Sequence, residues 1–248
     1  MKTVVVGASS GLGRCIAVGL ATRGATVALL ARRPELLAEA AAEAGPDARA
    51  IVCDVTDEAS VHAAVAQAAD ELGGIDALVY ATGTGTLARL ADVDAATWRA
   101  TFDTNVIGAA TVTAAALPHL VRSAGTAAFL TSNSSSFTPP WPGLGAYIVS
   151  KAALNKLVEA LRAEHPGVGF TQVFVGECAG GQGDSQSQFS AGWDMELAAE
   201  MGPIWMERKY MAGALLEVDE LVSVLDTVLR CGASATIPTV AVTPRPPA

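Results

Sequence analysis

Thr3–Gly24 reads T-V-V-V-G-A-S-S-G-L-G-R-C-I-A-V-G-L-A-T-R-G, and its three parts decide the fold. Residues 3–6 make a short run with Val4, Val5 and Val6 in succession, as expected of a strand in a parallel sheet covered on both faces. A turn built on Gly7, Gly11 and Gly13 follows, with Ser9, Ser10 and Leu12 between the glycines, and a helical pattern then runs from Arg14 to a stop at Gly24. Glycines let the backbone approach a pyrophosphate, and the free N–H groups and dipole of the helix start hold it. The same letters spell G-x-S-x-G at 7–11, the nucleophile elbow of α/β-hydrolases. With only six residues before Gly7, the oxyanion loop that an elbow needs has no source, so Ser9 and Ser10 are read as phosphate-loop hydroxyls.

The rest of the chain repeats this alternation. Strand-like runs at 25–31, 48–53, 75–81, 125–131, 168–175 and 235–242 alternate with helical patterns at 35–44, 58–72, 94–120, the segment from Tyr147 to Glu164, and 217–231. Counting the first, that predicts seven strands in a doubly wound, mainly parallel α/β sheet with helices on both faces. At 248 residues, with no internal repeat or linker, one domain over 1–248 is expected. Hydrophobic residues are 51% of the chain but aromatics only 5%, so Ala, Val and Leu must do most of the packing.

A net charge of -9 argues against nucleic acid, which needs a basic footprint. Met1-Lys2 leads straight into the first strand, too short for a signal peptide, and the most apolar run, Val106–Val121, is broken by Thr111, Thr113, Pro118 and His119. No membrane partner is expected. Cys15, Cys53, Cys178 and Cys231 form no C-x-x-C, and His62, His119 and His165 are scattered, so free thiols, no metal site and a cytoplasmic location are expected.

A second stretch carries chemistry. Ser134–Lys151 reads S-S-S-F-T-P-P-W-P-G-L-G-A-Y-I-V-S-K. Tyr147 and Lys151 stand four residues apart and share a helical face. A phenol titrates at about 10, and a nearby ammonium favours its ionised form. Ser134 lies thirteen residues before Tyr147. With the glycine turn at 7–13, Ala31-Arg32, Asp54-Val55, Gly83 and Asn105 in F-D-T-N-V-I-G, these landmarks fall in order along the chain. On them the sequence resembles the classical short-chain dehydrogenase/reductase family over essentially its whole length.

The resemblance implies a Rossmann-like fold and NADP(H)-dependent interconversion of a ketone or aldehyde and an alcohol. Ser134 would orient the carbonyl, Tyr147 would act as general acid or base, and Lys151 would lower the tyrosine pKa and hold the nicotinamide ribose. The backbone carbonyl of Asn105 would hold a relay water at a helix kink. Gly7, Ser9, Ser10, Gly11, Leu12, Gly13, Ala81, Gly83 and Gly176 would line the cofactor. Asp54 would accept from the adenine amino group and Val55 pack on its ring, although Asp54 also suits a helix cap. Arg32, where an NAD(H) site would carry a carboxylate one residue earlier, suits a 2′-phosphate, so NADP(H) is expected over NAD(H). Arg33 is read as solvated, and Arg14 as a phosphate neighbour or a cover for its helix.

Three segments depart from the family pattern. Tyr80-Ala81-Thr82-Gly83 stands for N-N-A-G, so two bracing amides are missing and a variant brace is expected. Val175-Gly176 stands for P-G, with Gly180 where a Thr is usual. The tail T-P-R-P-P-A lacks D-G-G and is expected to fray. Glu177–Gly192 is rich in Gly, Ser and Gln and predicts a lid over 176–211. Trp193, Met195, Met201, Trp205, Met206, Tyr210 and Met211 suggest an adaptable apolar pocket, with plain packing the equal alternative. Val106, Ile107, Val112 and Leu117 are read as a subunit face of a homodimer or homotetramer, and the substrate as a small, apolar carbonyl compound or alcohol. A second reading, motivated by the altered segments, is an NADP(H)-binding sensor that catalyses little.

Overall fold

Every strand of the sheet runs in the same direction. The computed structural model describes residues 1–181 and 186–246. The strands are β1 (Lys2–Val6), β2 (Thr26–Ala31), β3 (Arg49–Val52), β4 (Ala77–Tyr80), β5 (Thr126–Ser132), β6 (Gly169–Val175) and β7 (Thr239–Val242). Their order is β3-β2-β1-β4-β5-β6-β7, with each neighbouring pair parallel. The chain starts near the middle, winds out to β3, then returns to lay β4 on the free side of β1 and winds the other way. That reversal opens a crevice beyond the carboxyl ends of β1 and β4, where open α/β sheets place their ligands.

The apolar strands are explained by cover on both sides. Successive side chains point to opposite faces, so Val4, Val6, Leu78 and Tyr80 enter one core while Val5, Leu29 and Val79 enter the other. The first core is closed by α3 (Glu58–Leu72), α5 (Gly108–Ser123) and α6 (Gly145–Glu164); the second by α1 (Gly11–Thr22), α2 (Pro34–Ala44) and α8 (Val218–Leu229). Asp57 caps α3 by accepting from the Ala59 and Ser60 N–H groups. Asp54 is therefore not the cap; its Oδ1 accepts from the Thr56 N–H and hydroxyl at 3.0 and 2.8 Å, shaping the turn out of β3. Cys15, Cys53, Cys178 and Cys231 are free thiols.

The helix expected over 94–120 is three pieces: α4 (Ala95–Phe102), a π-helical turn over Asp103–Ile107, and α5. Ala95–Ser123 is long enough to cross a bilayer and holds an 18-residue window apolar enough to do so by composition, with mean hydropathy 1.3. In this fold Ala109, Val112, Ala116 and Leu120 of that run are wholly buried in the sheet core. This corrects the expected subunit face: Val112 is core and Leu117 packs against it, which leaves Ile107 exposed and Val106 half-buried.

Two further differences concern the end of the chain. The Met/Trp cluster contains a helix, α7 (Met195–Glu207), capped by Asp194 accepting from the Glu196 and Leu197 N–H groups. Gly202 and Pro203 inside it hide the pattern in the sequence. The tail does not fray at once after β7: Pro244 is buried, and it lies with Thr243 against Gly176.

Candidate active site

The turn after β1 shows why its glycines are there. Gly7 adopts a positive φ of 86°, and a Cβ added to it would come within 2.7 Å of the Thr82 Oγ1. A Cβ on Gly13 would collide with the Gly7 carbonyl. The β1 turn, the α1 N-terminus and the end of β4 thus meet closely enough to bare the first N–H groups of α1. Ser10 occupies the N-cap position of α1 without capping it. Its hydroxyl instead takes a 2.6 Å bond from the Arg33 Nη2, which also donates to the Ser9 Oγ at 3.0 Å.

Arg33 is therefore not the solvated member of the pair. The extended backbone at this residue, which precedes α2, lets the side chain turn back across the glycine loop while Arg32 stays exposed. Arg14, open between two readings in the sequence, pairs with Glu43 at 2.9 Å and Glu39 at 3.6 Å and so joins α1 to α2. Burial raises the Asp54 carboxyl, but the Thr56 bonds and the Arg32 charge outweigh it and hold the group below its ordinary value.

A cavity of about 730 Å³ runs from this turn along the strand ends to α6. Gly7, Ser9, Ser10, Gly11, Leu12, Gly13, Arg32, Asp54, Val55, Ala81, Gly83 and Gly176 all line it, as do Ser134, Tyr147 and Lys151. Asn105 lies behind the wall, fully buried. The cavity thus joins a phosphate-sized cradle, a pair of arginines and an ionisable Tyr–Lys pair, and that donor set fits a dinucleotide. One strip is crowded: a Cβ on Gly180 would lie 2.5 Å from the Leu12 N, and one on Gly11 would lie 3.1 Å from the Ser187 Cα. A glycine at 180 is what lets this segment lie so close to the α1 amides. Residues 182–185 of the predicted lid lie outside the described residues.

At the other end, α6 carries Tyr147 and Lys151 in its first turns. The Lys151 Nζ stands 5.9 Å from the Tyr147 ring centroid and donates to the Leu130 carbonyl at 2.9 Å. A Cβ on Gly83 would come within 3.1 Å of that Nζ, so glycine leaves the ammonium its place. Burial pushes Lys151 down to about 8. Although the Tyr147 side chain as a whole keeps some exposure, desolvation of its phenol pushes it up to about 12, and the Ser132 hydroxyl offsets part of that rise. The expected lowering by Lys151 is not the dominant effect in this arrangement, because the ammonium is directed at a backbone carbonyl and both groups pay for desolvation.

Two serines stand at this end. The thirteen-residue offset picks out Ser134, which lines the cavity; Ser132, the last residue of β5, lines it too and offsets part of the rise that burial causes in the Tyr147 phenol. The Ser134 Oγ lies 2.8 Å from the Ser132 Oγ. The short 3₁₀ turn Asn133–Ser135 carries Ser134 just past the strand end.

Asn105 clamps two elements together. Its Oδ1 accepts from the Thr84 N–H, and its Nδ2 donates to the Thr84 carbonyl and the Ser150 hydroxyl, each at 2.8 Å. Ser150 in turn donates to the Tyr147 carbonyl at 2.7 Å, so the clamp reaches the first turn of α6. The missing amide brace is replaced by Tyr80, fully buried, whose hydroxyl donates to the Thr104 carbonyl at 2.5 Å inside the π turn. Arg33, Ser132 and Tyr80 were missed in the sequence; the aromatic letter at 80 was the one visible signal.

An aromatic wall completes the Tyr147 end. Phe189 meets Tyr147 edge-on at 4.8 Å between centroids and Trp193 at 5.4 Å. Trp205 backs both Trp141 at 5.5 Å and Trp193 at 6.2 Å. The Met/Trp cluster is thus partly core, with Met201 and Trp205 buried, and partly cavity wall, with Trp193. Among the described residues no three His, Cys, Asp or Glu side chains come together to hold a metal.

Comparison with known proteins agrees with this fold. The family model for the short chain dehydrogenase matches residues 2–188. An 11-beta-hydroxysteroid dehydrogenase A of Sesamum indicum is 36% identical over 179 residues, 70% of this chain and 51% of that one. The chain therefore spans about half the length of that relative. An uncharacterized oxidoreductase of Mycobacterium tuberculosis is 36% identical over 170 residues, 66% of this chain and 67% of that protein. Among solved structures, a short-chain type dehydrogenase/reductase from Mycobacterium marinum superposes with a TM-score of 0.82 at 27% identity, covering 97% of this chain and 93% of that one. A family match this long, with a relative of such identity over most of both chains, means that the protein belongs to the short-chain dehydrogenase family.

Proposed function

We propose that the protein interconverts a ketone or aldehyde and an alcohol with NADP(H). The observation that carries this is the meeting of the Ser132 hydroxyl, the Tyr147 phenol and the Lys151 ammonium in the same cavity as the glycine turn. When bound, the nicotinamide supplies or takes up the hydride; the protein's part is orientation and proton transfer. Ser132 donates to the carbonyl oxygen and orients it, and Ser134 holds the Ser132 hydroxyl in register. Tyr147 passes its proton to the same oxygen during reduction. A phenol pushed up to about 12 is protonated at neutral pH and suits that acid role; the reverse direction needs the Lys151 charge drawn nearer. Lys151 and Gly83 hold the nicotinamide ribose, while Ala81, Val55 and Gly176 line the cofactor and Asp54 accepts from the adenine. The Asn105 backbone carbonyl holds a relay water, and the Asn105 side chain keeps α6 in place.

Two arginines at the end of β2 and the absence of a carboxylate at Ala31 support NADP(H) over NAD(H). Residues 176–211 serve as the lid, with Phe189 and Trp193 as its inner surface. The exposed Ile107, Val121 and Val149 support a homodimer or homotetramer, which light scattering reads directly. A cofactor sensor that catalyses little is the second reading, favoured by the Gly180 backbone lying against the Leu12 amide. A screen of ketones and aldehydes for consumption of NADPH separates the two. Carbonyl-dependent loss of nicotinamide absorbance supports the enzyme, and tight NADPH binding with no loss across the panel supports the sensor.

A further inference from the structure

We propose that the substrate is a neutral carbonyl compound bearing a flat apolar ring, and that Trp141, Phe189 and Trp193 are the residues that select it. The inference rests on the oxidoreductase reading for the reaction, but its geometry concerns binding alone. Trp141, Leu144, Phe189 and Trp193 line the cavity at the Tyr147 end. The Phe189 ring bridges the Tyr147 phenol and Trp193 by edge contacts, so the aromatic surface begins at the reacting end of the cavity.

What these rings offer a ligand is decided by where their polar atoms go. The Trp193 Nε1 donates to the Gly85 carbonyl at 3.0 Å, and the Trp141 Nε1 to the Thr138 Oγ1 at 3.0 Å. Behind them, the Trp205 Nε1 donates to the Pro142 carbonyl at 2.9 Å. With each indole N–H already used, the wall presents π faces and C–H edges. Buried Met201 and Trp205 back it, so the rings are held by packing.

Charge narrows the class further. Arg32, Arg33 and Asp54 lie at the glycine-turn end, where β2 and β3 finish. At the Tyr147 end the ionised side chains lining the cavity, among the described residues, are Lys151 and Glu177. Lys151 is directed at the Leu130 carbonyl, and the Glu177 Oε1 accepts from the Ala212 N–H at 2.9 Å. A carboxylate, sulfonate or phosphate on the substrate would lose water against the aromatic wall, and the cation at this end, Lys151, already donates to the Leu130 carbonyl. A quaternary ammonium would find the rings but share the cavity with the Lys151 ammonium.

The test is equilibrium binding to the intact protein saturated with NADP⁺, read by quenching of tryptophan fluorescence. The oxidised cofactor has no hydride to give a ketone, so the readout does not depend on turnover. The probes are 2-acetylnaphthalene, pyruvate, betaine aldehyde and hydroxyacetone. The expected result is that the naphthyl ketone binds about tenfold or more tighter than each of the others. Phe189→Leu and Trp193→Phe are each expected to weaken it by roughly tenfold, with thermal melts showing that both variants remain folded. Equal or tighter binding of pyruvate, betaine aldehyde or hydroxyacetone by the wild type would overturn the proposal without reference to any variant. Binding of the naphthyl ketone with no consumption of NADPH by any carbonyl would sink the oxidoreductase reading and leave this site standing. Reduction of small or charged carbonyls with no naphthyl binding would do the reverse.

Discussion

Lys151 stores a pH dependence that can be measured without any substrate. It is buried, and desolvation moves it from its ordinary value of 10.5 to about 8. The sign follows from proton counting. Between those two values the unfolded chain holds a proton on Lys151 that the folded chain has released, so stability rises with pH across that window. At neutral pH the folded protein carries the charge and bears most of the desolvation cost, about 3 kcal/mol for a shift of this size. By about pH 9.5 the folded amine is neutral and roughly 2 kcal/mol of that cost is relieved. Lys151→Met has no such proton. Urea unfolding of both proteins at about pH 7 and about pH 9.5 isolates the lysine, because every other titrating group is common to the pair. The expected outcome is that the wild type gains about 2 kcal/mol on Lys151→Met as pH rises. A difference that stays flat, or that moves the other way, would refute the claim that the ammonium is buried at a cost.

Two further outcomes follow from the geometry. Arg33→Ala frees the Ser9 and Ser10 hydroxyls of their partner and is expected to weaken NADPH binding by about tenfold or more, with NADH changed much less; Arg32→Ala is expected to act in the same direction, and fluorescence titrations with both cofactors read the two variants. Tyr80→Phe leaves the Thr104 carbonyl without its 2.5 Å donor inside a half-buried turn, which is expected to cost about 1 kcal/mol in chemical unfolding and to lower turnover more than cofactor affinity, since the π turn positions Asn105 and through it α6.

The fold was legible because its signals are local. Uninterrupted valines in β1 have one explanation, a strand covered on both faces, and the glycines at 7, 11 and 13 are demanded by contacts that a Cβ would forbid. The site was legible where it is also local, in the four-residue step from Tyr147 to Lys151. It was illegible where the chain's three-dimensional path decides. Counting thirteen residues back from Tyr147 lands on Ser134, but the count gives no hint of Ser132, which the 3₁₀ turn after β5 sets beside it in the cavity. Arg33 follows Arg32 with the same letter, and only the direction of the backbone leaving β2 separates the one on the phosphate turn from the one in solvent. Val112 is apolar on a long apolar helix, and the sequence alone cannot tell which side of that helix the sheet takes. The same limit hid α7, whose Gly202 and Pro203 break the pattern by which a helix is read.

The proposed role of Tyr147 is that of proton carrier for a hydride-transfer reaction in this cavity. It is tested most directly by comparing wild type with Tyr147→Phe in two assays on the same preparations: NADPH binding by fluorescence, and carbonyl-dependent consumption of NADPH. The phenol sits within an otherwise apolar ring contact with Phe189, so its removal is expected to leave NADPH affinity within about threefold while turnover falls by a hundredfold or more, about the range a positioned general acid supplies. Turnover in Tyr147→Phe equal to that of the wild type would contradict the account.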